Sequence, residues 1–193
     1  MKDFLKNKLF PVLILILTIV LVIVVKSETT DSDGDGPEVP APTAYTVVID
    51  GVSKPILSAG IEKRELKRDL YIIWLSLSKD KNEYVKIVAK ANVHDGKTID
   101  LTQKGRKNGG WWLWGVEYQN ADRKRVFSVY AEPGTSHPVF QQGTLYVKRK
   151  GSDTAEFEIR LKDGKVKAED PSGDGQEHTI SLYFNDTLDF LDF

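Results

Sequence analysis

The sequence predicts an antiparallel all-β domain in residues 43–193. Apolar and polar residues alternate with a period of two along most of this segment, which is the pattern of strands with one buried face. Short polar turns separate the alternating runs, and no helical segment of the length that connects parallel strands lies between them. The mostly sequential hairpins favour a curled meander or barrel of the lipocalin-like kind, with a β-sandwich as the alternative.

Two runs early in the domain predict a β-hairpin. Leu70–Ser78 alternates between two faces, the polar turn Lys79–Asn82 follows, and Glu83–Ala91 alternates again. Both faces of the first run begin with apolar residues. Trp74 is therefore expected in the core with its apolar neighbours.

Seven further runs predict strands, and one charged segment predicts a short helix. The charged segment Ile61–Asp69 is rich in helix formers but too poor in apolar residues for a core helix. Asp163-Gly164 predicts a tight turn. The strands are predicted at Tyr45–Ile49, Thr98–Leu101, Trp111–Tyr118, Val126–Glu132, Thr144–Arg149, Ala155–Leu161 and His178–Phe184.

The N-terminal segment, residues 1–26, predicts a membrane anchor. Leu9–Val25 is an uncharged apolar run preceded by Lys2, Lys6 and Lys8. As a helix it spans about 25 Å, near the short limit for a hydrocarbon core of about 30 Å. No small-residue cleavage site follows, which favours an uncleaved signal anchor over a signal peptide. The lysines orient the N-terminus inward, so the rest of the chain is expected outside the cytoplasm, in the cell envelope.

Residues 27–42 predict a flexible acidic linker. Ser27–Pro42 has five acidic residues, no basic residue and hardly any large apolar group, so it cannot offset the entropy of ordering. Asp31, Asp33 and Asp35 match the first half of a calcium loop, but the twelfth position holds Pro42 in place of a glutamate. The segment is therefore expected to be a linker and to bind no metal.

Charge and cysteine content exclude several functions. The chain has a formal net charge of −1, and the β domain lacks the basic excess of a nucleic-acid-binding protein. The chain contains no cysteine, which excludes the lipid attachment of bacterial lipoproteins. A domain of this size does not need disulfides to bury its core.

One tryptophan-rich strand is the candidate contact surface. In Trp111–Trp114, alternate residues share a face, and a row of exposed indoles could stack on sugar rings or anchor a protein partner. Burial of one face in the core is the alternative. Basic loops bracket this strand, so the predicted binding residues are Trp112, Trp114, Arg106, Lys107 and Arg123.

The sequence carries no catalytic motif. No serine stands in a G-x-S-x-G turn, and His94, His137 and His178 are not spaced as a zinc site requires. The sequence therefore predicts a protein that is not an enzyme, with no catalytic residue, metal or cofactor.

Several turn-and-strand segments resemble a group of uncharacterised exported β-rich domains from anaerobic gut-type bacteria. The segments are Ser58–Glu62, Glu83–Ile87, Gly96–Thr102, Gly143–Lys148 and Glu177–Leu182, with a short Thr187-Leu188 ending. Members of this group look like small lipid-anchored surface proteins. The resemblance implies an envelope location and a β fold, and it brings no catalytic residues. This chain differs by lacking the cysteine that accepts the lipid.

These observations predict a membrane-tethered, extracytoplasmic binding or interaction module. Its expected partners are the membrane, through Leu9–Val25, and a glycan or a protein. A carrier of a small apolar ligand in a barrel cavity and a structural envelope component are the alternatives. No nucleic acid is expected among its partners.

We expect the full-length chain to sediment with membranes when it is expressed in a bacterium. Residues 1–26 contain the long apolar run, so a chain lacking them should move to the soluble fraction after lysis. Ultracentrifugation followed by immunoblotting measures how each of the two chains divides between the membrane pellet and the supernatant. A full-length chain that stays in the cytosolic supernatant contradicts the anchor.

Overall fold

The computed structural model describes residues 42–104, 114–131, 138–152 and 154–192. The predicted anchor Leu9–Val25 and all of the predicted linker except Pro42 lie outside these residues. Within the described ranges, none of the helices has the length and apolar character needed to cross a membrane.

The described residues form twelve strands and two single-turn helices. In chain order these are β1 (Thr46–Ile49), β2 (Val52–Pro55), β3 (Ser58–Glu62), α1 (Lys63–Leu66), β4 (Leu70–Ser76), β5 (Tyr84–Lys90), α2 (Ala91–His94), β6 (Lys97–Asp100), β7 (Trp114–Gln119), β8 (Arg125–Tyr130), β9 (Gln142–Arg149), β10 (Glu156–Lys167), β11 (Glu177–Thr187) and β12 (Asp189–Leu191).

The strands form two six-stranded sheets. Sheet 1 has the order β2-β1-β11-β10-β9-β6, and sheet 2 has the order β12-β3-β4-β5-β7-β8. Neighbouring strands are antiparallel except for β12 and β3, which are parallel. The all-β prediction is confirmed. The preference for a barrel is wrong, because the described strands form two separate sheets and not a closed one.

Apolar side chains from both sheets share one core. Ile73 and Ile87 of sheet 2 and Ile159 of sheet 1 are fully buried in the same cluster. Across the sheets, the rings of Tyr71 and Phe157 meet edge to face with centroids 5.0 Å apart. The alternating pattern of the sequence therefore predicts the inner faces of the sheets correctly in β5 and β10.

One local prediction is wrong. Asp163-Gly164 is a bulge within β10 and not a turn, because the register with β11 shifts between Leu161 and Gly164 while the strand continues to Lys167. Asp163 has a φ of 52°, and a Cβ on Gly164 would lie 2.7 Å from the carbonyl oxygen of Ile180.

The short helix predicted within Ile61–Asp69 is confirmed as the single turn α1. Ile61, the first residue of that segment, is fully buried in β3. The helix itself buries no side chain, in agreement with the low apolar content of the segment.

A buried carboxylate links the two sheets at one end. Glu83, just before β5, is 7% exposed. Its Oε1 accepts hydrogen bonds from Lys54 Nζ on β2 and from Tyr118 Oη on β7, both at 2.7 Å. Burial, together with the bond to Glu83, raises the pKa of Tyr118 above its ordinary range. These donors compensate for the removal of the carboxylate from water.

Hydrogen bonds of the His178 ring hold two connecting segments against β11. Its Nδ1 lies 2.8 Å from Asp50 Oδ2 in the β1–β2 turn, and its Nε2 lies 3.1 Å from Asp174 Oδ1 in the loop before β11. The same loop reaches sheet 2, where the Ser128 amide donates to the carbonyl oxygen of Ser172. Burial lowers the pKa of His178, but the hydrogen bonds to both carboxylates outweigh it and leave the pKa raised.

His178 is expected to stabilise the domain more at low pH than at high pH. Its folded pKa is raised, so its contribution is complete below the unfolded value of about 6.5 and is lost as pH rises through the folded value. Relative to His178→Gln, we expect an advantage of about 1 kcal/mol near pH 6, since both carboxylates are partly exposed, and a smaller one near pH 9. Urea unfolding followed by circular dichroism measures the difference. The same advantage at both pH values contradicts this role.

Candidate functional site

The structure places Trp114 in the core. Its side chain is 1% exposed, its ring lies 6.3 Å from that of Phe140, and its Nε1 donates to the carbonyl oxygen of Gln103 at 3.2 Å. Trp114 therefore offers no surface for stacking. The other tryptophans of this run, Trp111 and Trp112, lie outside the described residues, as do Arg106 and Lys107.

Arg123 lies in the turn between β7 and β8, at the opposite end of that hairpin from Trp114. Its Nε donates to Asn82 Oδ1 at 2.9 Å, and Gln119 Nε2 donates to the carbonyl oxygen of Asn82 at 2.8 Å. Arg123 is thus held against the β4–β5 turn. The structure does not bring Trp114 and Arg123 together into one surface.

Trp74 lies on the outer face of sheet 2, and its predicted place in the core is wrong. Tyr71, Ile73 and Leu75 occupy the inner face of β4, so the period of two turns Trp74 outward. Its Nε1 donates to Glu62 Oε1 at 2.9 Å.

Two neighbours on β5 border the Trp74 indole. The ring of Tyr84 meets it edge to face with centroids 4.9 Å apart. The Nζ of Lys86, directly opposite Trp74 in the register, lies 4.8 Å from the centroid of the indole. Trp74 and Tyr84 thus form an aromatic corner on the outer face.

This aromatic corner forms one wall of an open groove of about 500 Å³. The groove crosses β12, β3, β4 and β5 and falls within the size range of small-ligand sites. Its other lining residues include Gly60, Glu62, Asp189 and Leu191. We call this feature the outer groove.

Small side chains on β3 and β4 make room for the outer groove. Gly60 lies directly between Trp74 on β4 and Asp189 on β12. A Cβ on Gly60 would lie 2.7 Å from Leu191 Cγ, so only glycine lets Leu191 rest on β3 at this point. Ser58 and Ser76, which face each other across the same strand pair, add hydroxyl groups and little bulk.

A buried carboxylate fixes the orientation of Tyr84. Glu117 on β7 is 8% exposed. Its Oε1 accepts from Tyr84 Oη at 2.9 Å, and its Oε2 accepts from Ser128 Oγ at 2.8 Å. Burial, followed by the hydrogen bond to Glu117, raises the pKa of Tyr84 above its ordinary range. Tyr84 therefore stays protonated and keeps this bond at any physiological pH.

The outer groove offers stacking surfaces and hydrogen-bonding groups. Trp74 and Tyr84 supply aromatic surface, while Glu62, Asp189 and Lys81 supply charged acceptors and a donor. In the described part of the chain, no three His, Cys, Asp or Glu side chains are placed to hold a metal ion. A second cavity, of about 520 Å³, is lined by Pro138, Lys167, Glu169 and neighbours and has no aromatic wall.

We expect Glu117→Ala to destabilise the domain by about 2 kcal/mol, since it removes the acceptor of Ser128 and the nearer of the two acceptors of Tyr84, the other being Gln119 Oε1 at 3.3 Å. Tyr84→Phe removes one of these bonds and should cost less, about 1 kcal/mol. Urea unfolding of both single variants and of the double variant gives the coupling free energy between Glu117 and Tyr84. Additive effects would show that Glu117 does not orient Tyr84.

Comparison with known proteins gives no match to a family model, a curated protein or a solved structure. The resemblance to exported β-rich domains therefore stays a prediction from the quoted segments. The functional argument depends on the geometry of the outer groove.

Proposed function

We propose that this protein is a non-catalytic carbohydrate-binding module whose binding surface is the outer groove. The observation that carries the proposal is the aromatic corner of Trp74 and Tyr84 beside a carboxylate held at the indole edge. The groove is open and lies on the outside of a sheet.

The chemistry of a sugar fits this combination. One face of a pyranose presents C–H groups, which pack on the electron-rich face of an indole or phenol ring. The hydroxyl groups at the edge of the sugar are donors and acceptors. Glu62, which holds the N–H of Trp74 at 2.9 Å, lies where it can accept from such a hydroxyl while the sugar covers the ring.

The shape of the site favours a chain-like ligand. The outer groove crosses four strands, and an open groove leaves room for a polymer to continue beyond it. A carrier of a small apolar ligand needs an enclosed cavity, whereas the outer groove is open to solvent.

The N-terminal segments support an envelope role. A tether of the length of Ser27–Pro42 has a root-mean-square reach of about 22 Å. Anchored through Leu9–Val25, the domain would search the polymer layer next to a membrane. The location at the membrane and the glycan ligand are parts of one proposal.

Titration of the full-length protein with β-1,4-linked tetramers of glucose and N-acetylglucosamine tests the binding. Calorimetry should detect at least one of them, and Trp74→Ala should weaken that binding about tenfold, because the stacking surface is lost.

Tyr183→Ala is the matched control. Tyr183 lies next to Arg160 on sheet 1, with the guanidinium carbon 5.4 Å from its ring centroid, so its removal should leave the affinity unchanged. Equal affinity of Trp74→Ala and the native chain for every tetramer that binds would contradict the proposal.

A further inference from the structure

The outer groove has an open floor beside the part that Leu191 covers. Leu191 rests on β3 at Gly60, with its Cγ 2.7 Å from where a Cβ on that residue would lie. Two positions earlier on the same face of β3 is Ser58, and Ser76 lies directly across from it on β4. β12 begins at Asp189, opposite Gly60, and does not pair with β3 at this serine. We call Ser58 and Ser76 the serine floor.

The Ser76 hydroxyl is enclosed, and no described residue pairs with it. Ser76 is 7% exposed and lines the groove, whereas Ser58 is half-buried and leaves access from the β3 side. Within the described part of the chain, neither side chain forms a hydrogen bond, and the two hydroxyls do not bond to each other. Buried hydroxyls are nearly always hydrogen-bonded. The partner of Ser76 therefore has to come from inside the groove.

Two aromatic rings stand next to the serine floor. Tyr84 pairs directly with Ser76 across β4 and β5, and Trp74 lies two residues before Ser76 on the same face. The hydroxyl hydrogen of Tyr84 is engaged by Glu117 at 2.9 Å, so Tyr84 presents its ring to the groove and no donor. The recess above the serine floor therefore combines neutral hydroxyls at its base with apolar walls.

This combination matches an acetamido group, whose carbonyl oxygen accepts a hydrogen bond, whose N–H donates one and whose methyl group is apolar. Directly opposite residues of an antiparallel pair have Cβ atoms about 4.5–5.5 Å apart. One amide can therefore bond to both hydroxyls of the serine floor, since each hydroxyl donates and accepts. The methyl group then packs against the ring of Tyr84, while the sugar ring stacks on Trp74.

Charged substituents fit the serine floor less well than an amide. The charged side chains of the described lining are Glu62 and Asp189 on β3 and β12 and Lys81 in the β4–β5 turn. Because they carry both signs, a charged substituent gains attraction on one side and meets repulsion on the other. Removing a charge from water costs far more than removing an amide. The recess therefore favours a neutral group.

We infer, on the basis of the proposed glycan binding, that the outer groove selects N-acetylated amino sugars, whose acetamido group enters the recess above Ser58 and Ser76. A sugar with a hydroxyl at this position still stacks on Trp74, but it brings no methyl group to the ring of Tyr84. A free amino group lacks both the carbonyl oxygen and the methyl group.

The test uses β-1,4-linked tetramers of N-acetylglucosamine, glucosamine and glucose, which share a backbone and differ in one substituent on each ring. In calorimetry of the full-length protein, the acetylated tetramer should bind about tenfold more tightly than either of the others, because only its amide pairs with both hydroxyls of the serine floor. Added salt should change this preference little, since the recognised group is neutral.

Serine variants locate the effect. Ser76→Ala removes the enclosed hydroxyl and should reduce the preference to about threefold, whereas Ser76→Val also fills the recess and should abolish it. Ser53→Ala is the matched control, because Ser53 is exposed on β2 of sheet 1, and it should leave the preference at its native value. Urea unfolding of each variant checks that the fold is kept.

Three outcomes would overturn the selection of N-acetylated sugars. These are equal affinities for the acetylated and the glucose tetramers, equal affinities for the acetylated and the glucosamine tetramers, and a preference that Ser76→Ala and Ser76→Val leave unchanged. Glycan binding that depends on Trp74 would survive all three. If no tetramer binds, the proposed function and the selection both fail.

Discussion

Tyr71 of sheet 2 and Phe157 of sheet 1 meet edge to face at 5.0 Å in a core that takes apolar side chains from both sheets. This packing determines where ligands can bind. Each sheet uses one face for the core, so ligands must be bound by outer faces, edges or loops. The burial of Trp114 is an example, because its position on the inner face of β7 assigns the indole to the core despite the tryptophan-rich sequence around it.

The outer face of sheet 2 shows how register assembles a site from distant segments. One cross-strand row runs from the C-terminal strand to β8 through directly paired residues. The row consists of Asp189, Gly60, Trp74, Lys86, Glu117 and Ser128. Its members lie far apart in the chain, and they become neighbours only through five strand pairings. Alternation within single strands predicts the faces of each strand, but it carries no information about which strands are adjacent.

The strand and turn predictions are confirmed where alternation and turn composition agree, and they are wrong where one of these signals is ambiguous. The hairpin of Leu70–Ser78 and Glu83–Ala91 is confirmed in β4 and β5 because alternation and a polar turn agree. The pattern predicts the wrong side for Trp74 because both faces of its strand begin with apolar residues, so alternation cannot tell which face meets the other sheet. Asp163-Gly164 has the composition of a turn, yet it forms a bulge, since pairing with β9 and β11 on both sides of it continues the strand. No sequence pattern within or next to either strand predicts the parallel pairing of β12 with β3.

The groove separates binding from stability through two groups of side chains. Glu62, Trp74 and Asp189 are partly or largely exposed, so their burial contributes little to the free energy of unfolding. Glu117 lies two strands away from Trp74 in the same cross-strand row. It is buried and bonded to hydroxyls of two other strands, so its loss destabilises the fold. Changes in the exposed group can therefore alter ligand choice with little effect on folding. Because the Glu117 carboxylate fixes the angle of Tyr84, and Tyr84 packs against Trp74, the stacking surface is held in place before any ligand arrives, which lowers the entropy cost of binding.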